Sequence, residues 1–304
     1  MAFAFHEGEL TVQRRAGGSE VAARVGRNIA PEIPPAAGEF LEEQPLVVAG
    51  ARTPDGAVWA SLLTGAPGFA RAPDERTVVL AARPRAGDPL REALGVPDAP
   101  IGLLAIDPAT RRRMRVNGTA TVDRHGIVVR TAEVYSNCPK YIARRVVTDV
   151  EPDGGPPRAA SFGTSLTGAQ LEIVGAADTF FIATAHRRAG ADVSHRGGTP
   201  GFVFVDDERH LSFPDYVGNN MYMTLGNLES DPHAGLLLVD WEAGDVLMLS
   251  GTARVDWSPE RAATVPGAQR MIDFAIDQVV DLPGASPLRW RLLDRSRFNP
   301  VAVS

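Results

Sequence analysis

The sequence predicts a mainly β protein, a β-barrel fold with a few helices, made of two tandem copies of one small domain. Two observations lead there. The first is a repeat at fixed spacing. Gly65-Ala66-Pro67-Gly68-Phe69 recurs as Gly198-Thr199-Pro200-Gly201-Phe202, and Asp74-Glu75-Arg76 recurs as Asp207-Glu208-Arg209. The run from Gly102 to Asp107 recurs from Gly235 to Asp240, and Gly118-Thr119-Ala120 recurs as Gly251-Thr252-Ala253, each pair 133 positions apart. One short match is noise, but several in a single register mark a duplication. The second observation is the pattern inside each copy, where short apolar and β-branched runs alternate with Pro, Gly and Asp turns.

Taken in order, the first thirty-odd residues read as a helical arm outside the repeat, packing or frayed without a role of its own. Domain boundaries follow: arm 1–35, first copy 36–150, linker 151–160, second copy 161–304. In the first copy, Pro45–Arg52, Val58–Leu63, Arg76–Ala82, Ile101–Asp107, Arg113–Val122 and Gly126–Val134 read as strands, with a helical stretch over Asp88–Leu94. Glu151–Arg158 is rich in Pro and Gly, as linkers are. In the second copy, Thr179–Ala185, Gly201–Val205, Arg209–Phe213, Gly235–Asp240 and Asp245–Asp256 read as strands, with a helix over Asn220–Ser230. Half a dozen short strands with one or two helices suit a small antiparallel barrel.

Composition narrows the function classes. The net charge of −6 offers no basic surplus for nucleic acid. A single cysteine, Cys138, allows no intrachain disulfide and fits a reducing compartment. The N-terminus lacks a secretory pattern and no apolar run reaches membrane-span length, so a cytoplasmic protein with no membrane partner is expected. The six histidines form no compact ligand pair, so no metal is expected. Phosphate-loop, nucleophile-elbow and dinucleotide fingerprints are absent as well.

The fixed spacing turns the repeat into an internal alignment. Asp192 falls opposite Trp59, His195 opposite Leu62, Arg196 opposite Leu63, Asp215 opposite Ala82, Asn219 opposite Ala86 and Asn220 opposite Gly87. The second copy is therefore polar at two segments where the first is mostly apolar: Val193–Gly198 and Phe213–Asn227. Arg196 offers a planar fork suited to phosphate, and the second segment enters a helix whose N-terminus favours an anion. The competing reading is a solvated face with an ordinary surface arginine.

Several segments resemble the FMN-binding split-barrel superfamily of the pyridoxamine 5′-phosphate oxidases. They are Asp215-Tyr216-Val217-Gly218-Asn219-Asn220-Met221 with its continuation, Arg111–Gly118, and Tyr135-Ser136-Asn137-Cys138-Pro139-Lys140-Tyr141. The opening Phe5-His6-Glu7-Gly8-Glu9 and the late Pro287-Leu288-Arg289-Trp290 look like its tandem-barrel flavoprotein branch. The resemblance implies two split barrels packed as an internal pseudo-dimer with FMN in the groove between them. It implies cofactor contacts from Ser194, His195, Arg196, Gly197, Phe213, Pro214, Asp215, Asn219, Asn220 and Thr224. Relatives often carry Arg-Lys near the last of these, whereas this chain has Met223-Thr224 and no cation there. Arg113 and Arg115 align with a strand that reaches a neighbouring barrel's flavin in homodimeric relatives; on residues alone, Arg111, Arg112 and Arg113 could equally cap an exposed strand edge. Substrate-side candidates are Asn137, Cys138, Lys140 and Trp290, with core packing the other reading of Trp290. Cys138 has no histidine base beside it in sequence. His195 titrates near neutrality when unperturbed, which makes it the proton-handling candidate. The expected activity is an FMN-dependent oxidoreduction of a small molecule, with a reduced nicotinamide or partner reductase as electron source. The alternative is a non-catalytic carrier of flavin, deazaflavin or haem. A monomeric pseudo-dimer and a homodimer both remain open.

Overall fold

The computed structural model describes residues 4–151 and 159–300. The linker expected at 151–160 therefore lies mostly outside the described residues. Three helices come first: α1 (Glu7–Arg15), α2 (Ser19–Gly26) and α3 (Pro35–Glu43). The first sheet comprises β1 (Leu46–Arg52), β2 (Val58–Thr64), β3 (Ala70–Asp74), β4 (Thr77–Leu80), then short α4 (Leu90–Ala93), β5 (Ala99–Asp107), β6 (Arg112–Asp123) and β7 (Gly126–Ser136). After β8 (Arg144–Val150) come β9 (Ser161–Gly163), α5 (Gly168–Ala176), β10 (Thr179–His186), β11 (Gly190–Gly197), β12 (Phe204–Val205) and β13 (His210–Tyr216). The chain ends with α6 (Met223–Ser230), β14 (His233–Val239), β15 (Val246–Asp256), α7 (Pro259–Ala263), β16 (Ala268–Leu282) and β17 (Leu288–Asp294).

The fold is mainly β, in two split barrels of one topology. The first sheet runs β2-β1-β5-β6-β7-β4-β3 and the second β11-β10-β14-β15-β16-β13-β12, which is the same order strand for strand. Even the irregularities coincide. β6 shifts register against β7 at Asn117/Gly118, and β15 shifts against β16 at Ser250/Gly251, again 133 positions on. The long β16 is absent from the strands expected from sequence. Its apolar positions are interrupted by Asp273, Asp277 and Gln278, which blurs the period-two signal. Gly118 pairs with Thr131 and Gly251 with Ile276, so the second copy carries twelve extra residues before that point. α7 lies in this insertion, its start capped by Ser258 accepting from the Arg261 backbone. The helix expected from Asn220 begins only at Met223, because Asn220 and Tyr222 hold left-handed backbone at φ 61° and 59°.

Each barrel buries its own apolar interior, around Leu80, Ile101 and Ile127 in the first and Phe180, Phe213 and Phe274 in the second. A third cluster joins them, with Val48, Trp59 and Leu104 from one barrel against Phe181, Val193 and Leu237 from the other. The join is pseudo-symmetric. A Cβ on Gly102 would lie 2.7 Å from the Asp192 Cα, and a Cβ on Gly235 would lie 2.7 Å from the Trp59 Cα. Gly102 and Gly235 are equivalent positions, as are Trp59 and Asp192. That is the reciprocal contact of a two-fold interface, here made within one chain.

The arm is docked rather than frayed. α1 crosses α6 so closely that a Cβ on Gly226 would sit 2.6 Å from the Glu9 Cα. His6 stacks on His186 at 4.2 Å and its Nε2 meets Asn227 Oδ1 at 3.0 Å, while Gln13 Nε2 donates to the Met221 carbonyl at 3.0 Å. Docking buries Glu9, and this burial, aided by Glu133 and Asp192 nearby, pushes its pKa up to about 8, against the opposing pull of the His6 amide and of Arg115. The folded state thus keeps a proton that the unfolded chain releases above its ordinary pKa. Stability on this account falls as pH rises through that window. Glu9→Gln is expected to match the parent near pH 4 and to exceed it at pH 9 by roughly 2–4 kcal/mol. Thermal unfolding at both pH values measures this, and a constant difference would refute it.

Candidate functional site

A cleft between the barrels, about 120 Å³ in cavity volume, gathers most of the polar residues singled out from sequence. β6 supplies Arg113 and Arg115, which share a face because side chains alternate along a strand. β11 supplies Ser194, His195, Arg196 and Gly197, and β13 ends with Pro214 and Asp215. Asn219, Asn220 and Thr224 come from the turn into α6, and Asn137, Cys138 and Lys140 from the segment after β7. Because β6 lies between β5 and β7, Arg113 and Arg115 do not guard a strand edge.

The floor of the cleft is a buried ion pair that bridges the two barrels. Arg115 Nη1 donates to Asp192 Oδ2 at 2.5 Å and to the Tyr135 hydroxyl at 2.7 Å. Its Nη2 donates to Ser194 Oγ, which lies 2.9 Å from Thr224 Oγ1. Burial opposes the charge on Arg115, but the Asp192 carboxylate more than compensates and its pKa is raised. Asp215 is paired from behind by Arg270 at 3.3 Å.

Arg113 and Arg196 are different. Among the described residues neither makes a salt bridge, and the Nε of each is buried without a partner. Burial together with Arg115 and Arg196 pushes the Arg113 pKa down to about 9. Arg196 is also lowered, by burial first and Arg115 second, with Asp215 pulling the other way. The start of α6 faces the same space, since Met223, Thr224 and Leu225 line it and the N-cap Tyr222 offers no side-chain cap. Two guanidinium groups without a salt bridge and a helix start without a side-chain cap converge on one volume, an arrangement that attracts an anion. Strained backbone at Asn220 and Tyr222 is of the sort that persists at binding sites.

The equivalent position on the other side of the pseudo-dyad is sealed. Where one side has Arg113, Arg115, Ser194 and Arg196, the other has Val246, Met248, Ser61 and Leu63. Val246 and Met248 are buried in the apolar cluster between the barrels, and Leu63 is in the first barrel's core. Ser61 bonds to buried Asp88. Trp290, expected on the substrate side, belongs to this seal instead: it is buried and meets Trp241 edge-on at 5.7 Å. Phe213 is likewise corrected from cofactor contact to core, because alternation along β13 turns it inward against Phe180.

His195 lines the cleft but does not titrate as expected. Burial and the charges of Arg113, Arg196 and Arg145 lower its pKa well below the ordinary value, so the imidazole is neutral at neutral pH. Both ring nitrogens are buried without partners. It can offer a hydrogen bond to a ligand, but it does not carry a spare proton. Tyr141, Tyr216 and Tyr222, overlooked in the sequence, complete the wall; Tyr141 and Tyr216 lie with ring centres 5.2 Å apart. Tyrosine flanking a polar motif was the available signal.

Residues 166–289 match the family model of pyridoxamine 5′-phosphate oxidase, which spans most of the second barrel. No curated protein matches the sequence. Among solved structures, a pyridoxamine 5′-phosphate oxidase-type protein of Lactobacillus delbrueckii aligns at 17% identity over 38% of this chain and 94% of its own, with TM-score 0.33. HupZ of Group A Streptococcus aligns at 11% identity over 37% and 90%, with TM-score 0.31. An F420 reductase aligns at 10% identity over 35% and 90%, with TM-score 0.26. Among the described residues, no helix is long and apolar enough to cross a membrane, and no His, Cys, Asp and Glu group is arranged to hold a metal.

Proposed function

We propose, on the premise that the second barrel is of the pyridoxamine 5′-phosphate oxidase type, that the cleft binds FMN and that the protein is a flavin-dependent oxidoreductase of a small molecule. The observation that carries this reading is the pair of half-buried arginines without a salt bridge, Arg113 and Arg196, each with a buried Nε that lacks a partner, facing an uncapped helix start. A phosphate there supplies the missing counter-charge. The remaining walls suit a flat ring with polar edges: Leu104, Phe202, Tyr141 and Tyr216 are apolar or aromatic, while Asn137, Asn219 and neutral His195 offer hydrogen bonds. When bound, the flavin supplies the hydride chemistry, and the chain supplies orientation and charge. Arg115, locked by Asp192, sets the distance between β6 and β11 and so fixes where Arg113 and Arg196 point. Burial of the cleft floor excludes water from around the Arg115–Asp192 pair.

The purified protein is expected to be yellow, to release FMN on denaturation, and to bleach under a reduced nicotinamide. A preparation that takes up no FMN overturns the reading, and one that binds FMN without turnover with any reductant is a carrier. Arg113→Ala and Arg196→Ala are each expected to weaken FMN binding roughly 10- to 100-fold, the scale of a charge-assisted hydrogen bond. Leu63→Ala, at the position equivalent to Arg196, is expected to lower thermal stability and leave FMN affinity unchanged. Flavin fluorescence titration reads all three.

A further inference from the structure

We propose that a second recess, beside the cleft, receives the small-molecule substrate, and that this substrate is an uncharged compound with an apolar body and an N–H or O–H donor. The inference rests on the flavin reading only in calling the recess a substrate pocket; its ligand chemistry stands independently. The recess measures about 330 Å³, within the range of small-molecule sites. The docked arm forms one side with Val25, Asn28 and Ile29, and Tyr135, Ser136 and Met221 form the other. Asn137, Cys138 and Asn219 line both the recess and the cleft, so the two spaces adjoin at those residues.

The chemistry of the recess differs from that of its neighbour. Ile29, Tyr135, Met221 and Met223 form one buried apolar cluster, with Val25 packed against it. None of the residues that line the recess is an Asp, Glu, Lys or Arg. An anion entering it would lose water without meeting a cation, which is costly. The cleft next door, with Arg113 and Arg196, has the opposite preference. One polar demand is left unmet at the shared wall: Asn137 Oδ1 is buried and has no hydrogen-bond partner. An orphaned buried acceptor costs about 1–3 kcal/mol, and a ligand donor placed against it removes that cost. An apolar patch, uncharged polar groups on Asn28, Ser136 and Asn219, and one unmatched acceptor together select a neutral donor. The position of Asn137 and Cys138 between the two spaces would bring such a ligand to the edge of whatever the cleft holds.

The test is calorimetric titration of the full chain, loaded with FMN, using benzamide and benzoate as a matched neutral and anionic pair. Benzamide is expected to bind at least about tenfold more tightly than benzoate, and Asn137→Leu to weaken it roughly tenfold. Ser136→Trp, at an exposed strand end outside the cleft, is expected to fill the recess and abolish benzamide binding while FMN affinity stays unchanged. Val25→Trp serves as a second plug from the opposite wall. Equal or tighter binding of benzoate overturns the proposal, as does benzamide affinity that survives both plugs. The two readings fail separately. A protein that retains no FMN yet binds benzamide in a plug-sensitive way loses the flavin reading and keeps the recess, whereas FMN binding without benzamide binding does the reverse.

Discussion

Asp192→Ala is expected to destabilise the protein by about 3–5 kcal/mol, because it leaves the Arg115 charge buried and uncompensated. Arg115 is 5% and Asp192 3% exposed, so water cannot take over the lost contact. Tyr135 and Ser194 remain as partners for Arg115, but neither carries charge. The same change loosens β6 against β11 and is expected to reduce FMN retention, since Arg113 sits two residues from Arg115 and Arg196 four residues from Asp192 on those strands. Removing both charges is a different matter. A double replacement, Arg115→Met with Asp192→Leu, is expected to regain most of the stability, because well-packed apolar groups often equal a buried pair. It should not regain FMN retention if the pair sets the cleft's geometry. Urea midpoints of the single and double variants, read beside flavin fluorescence, measure both effects. A single variant as stable as the parent would show that the pair carries no structural weight.

Gly102→Val is expected to cost about 3 kcal/mol or more, since its side chain would meet backbone of the other barrel rather than a side chain that can turn aside. Gly235→Val meets the equivalent obstacle at Trp59 and is expected to destabilise to a similar degree. The two should part on cofactor binding. Gly102 presses on Asp192 in β11, the strand that carries Ser194 and Arg196, so its replacement displaces the cleft. Gly235 presses on β2, whose equivalent residues lie on the sealed side. Thermal melts should therefore rank the two variants together, while FMN affinity falls further for Gly102→Val. Equal loss of FMN from both would mean that the cleft depends on the interface as a whole and not on the placement of β11.

Much of the architecture was legible because duplication supplies its own alignment. The constant spacing located equivalent strands before any was seen, and it marked His195, Arg196 and Asp215 as departures from an apolar counterpart. The cleft gathers nearly all of the polar residues chosen in this way. The errors have separate physical causes. Phe213 was misplaced, and Trp290 left open between cleft and core, because facing depends on strand register and on what packs behind, neither of which a motif specifies. β16 was missed because acidic residues on its outer face break the apolar pattern, although the barrel needs the strand to join β15 to β13. The arm offered no repeat to align, so nothing in its sequence revealed that Gly8 and Gly226 let α1 dock against α6.

The sequence alone determined the duplication, the barrel class and which copy bears the polar segments, because those properties are written in local composition and in a fixed spacing. Only the tertiary structure decided the ionic state and the pairing of the site. Arg115 and Asp192 lie in different copies and become partners only when the barrels meet. Arg113 and Arg196 come to face one cleft, without a salt bridge to either, only because of that same meeting. His195 loses its proton for the same reason: burial and the surrounding arginines, gathered from both halves of the chain, set its charge.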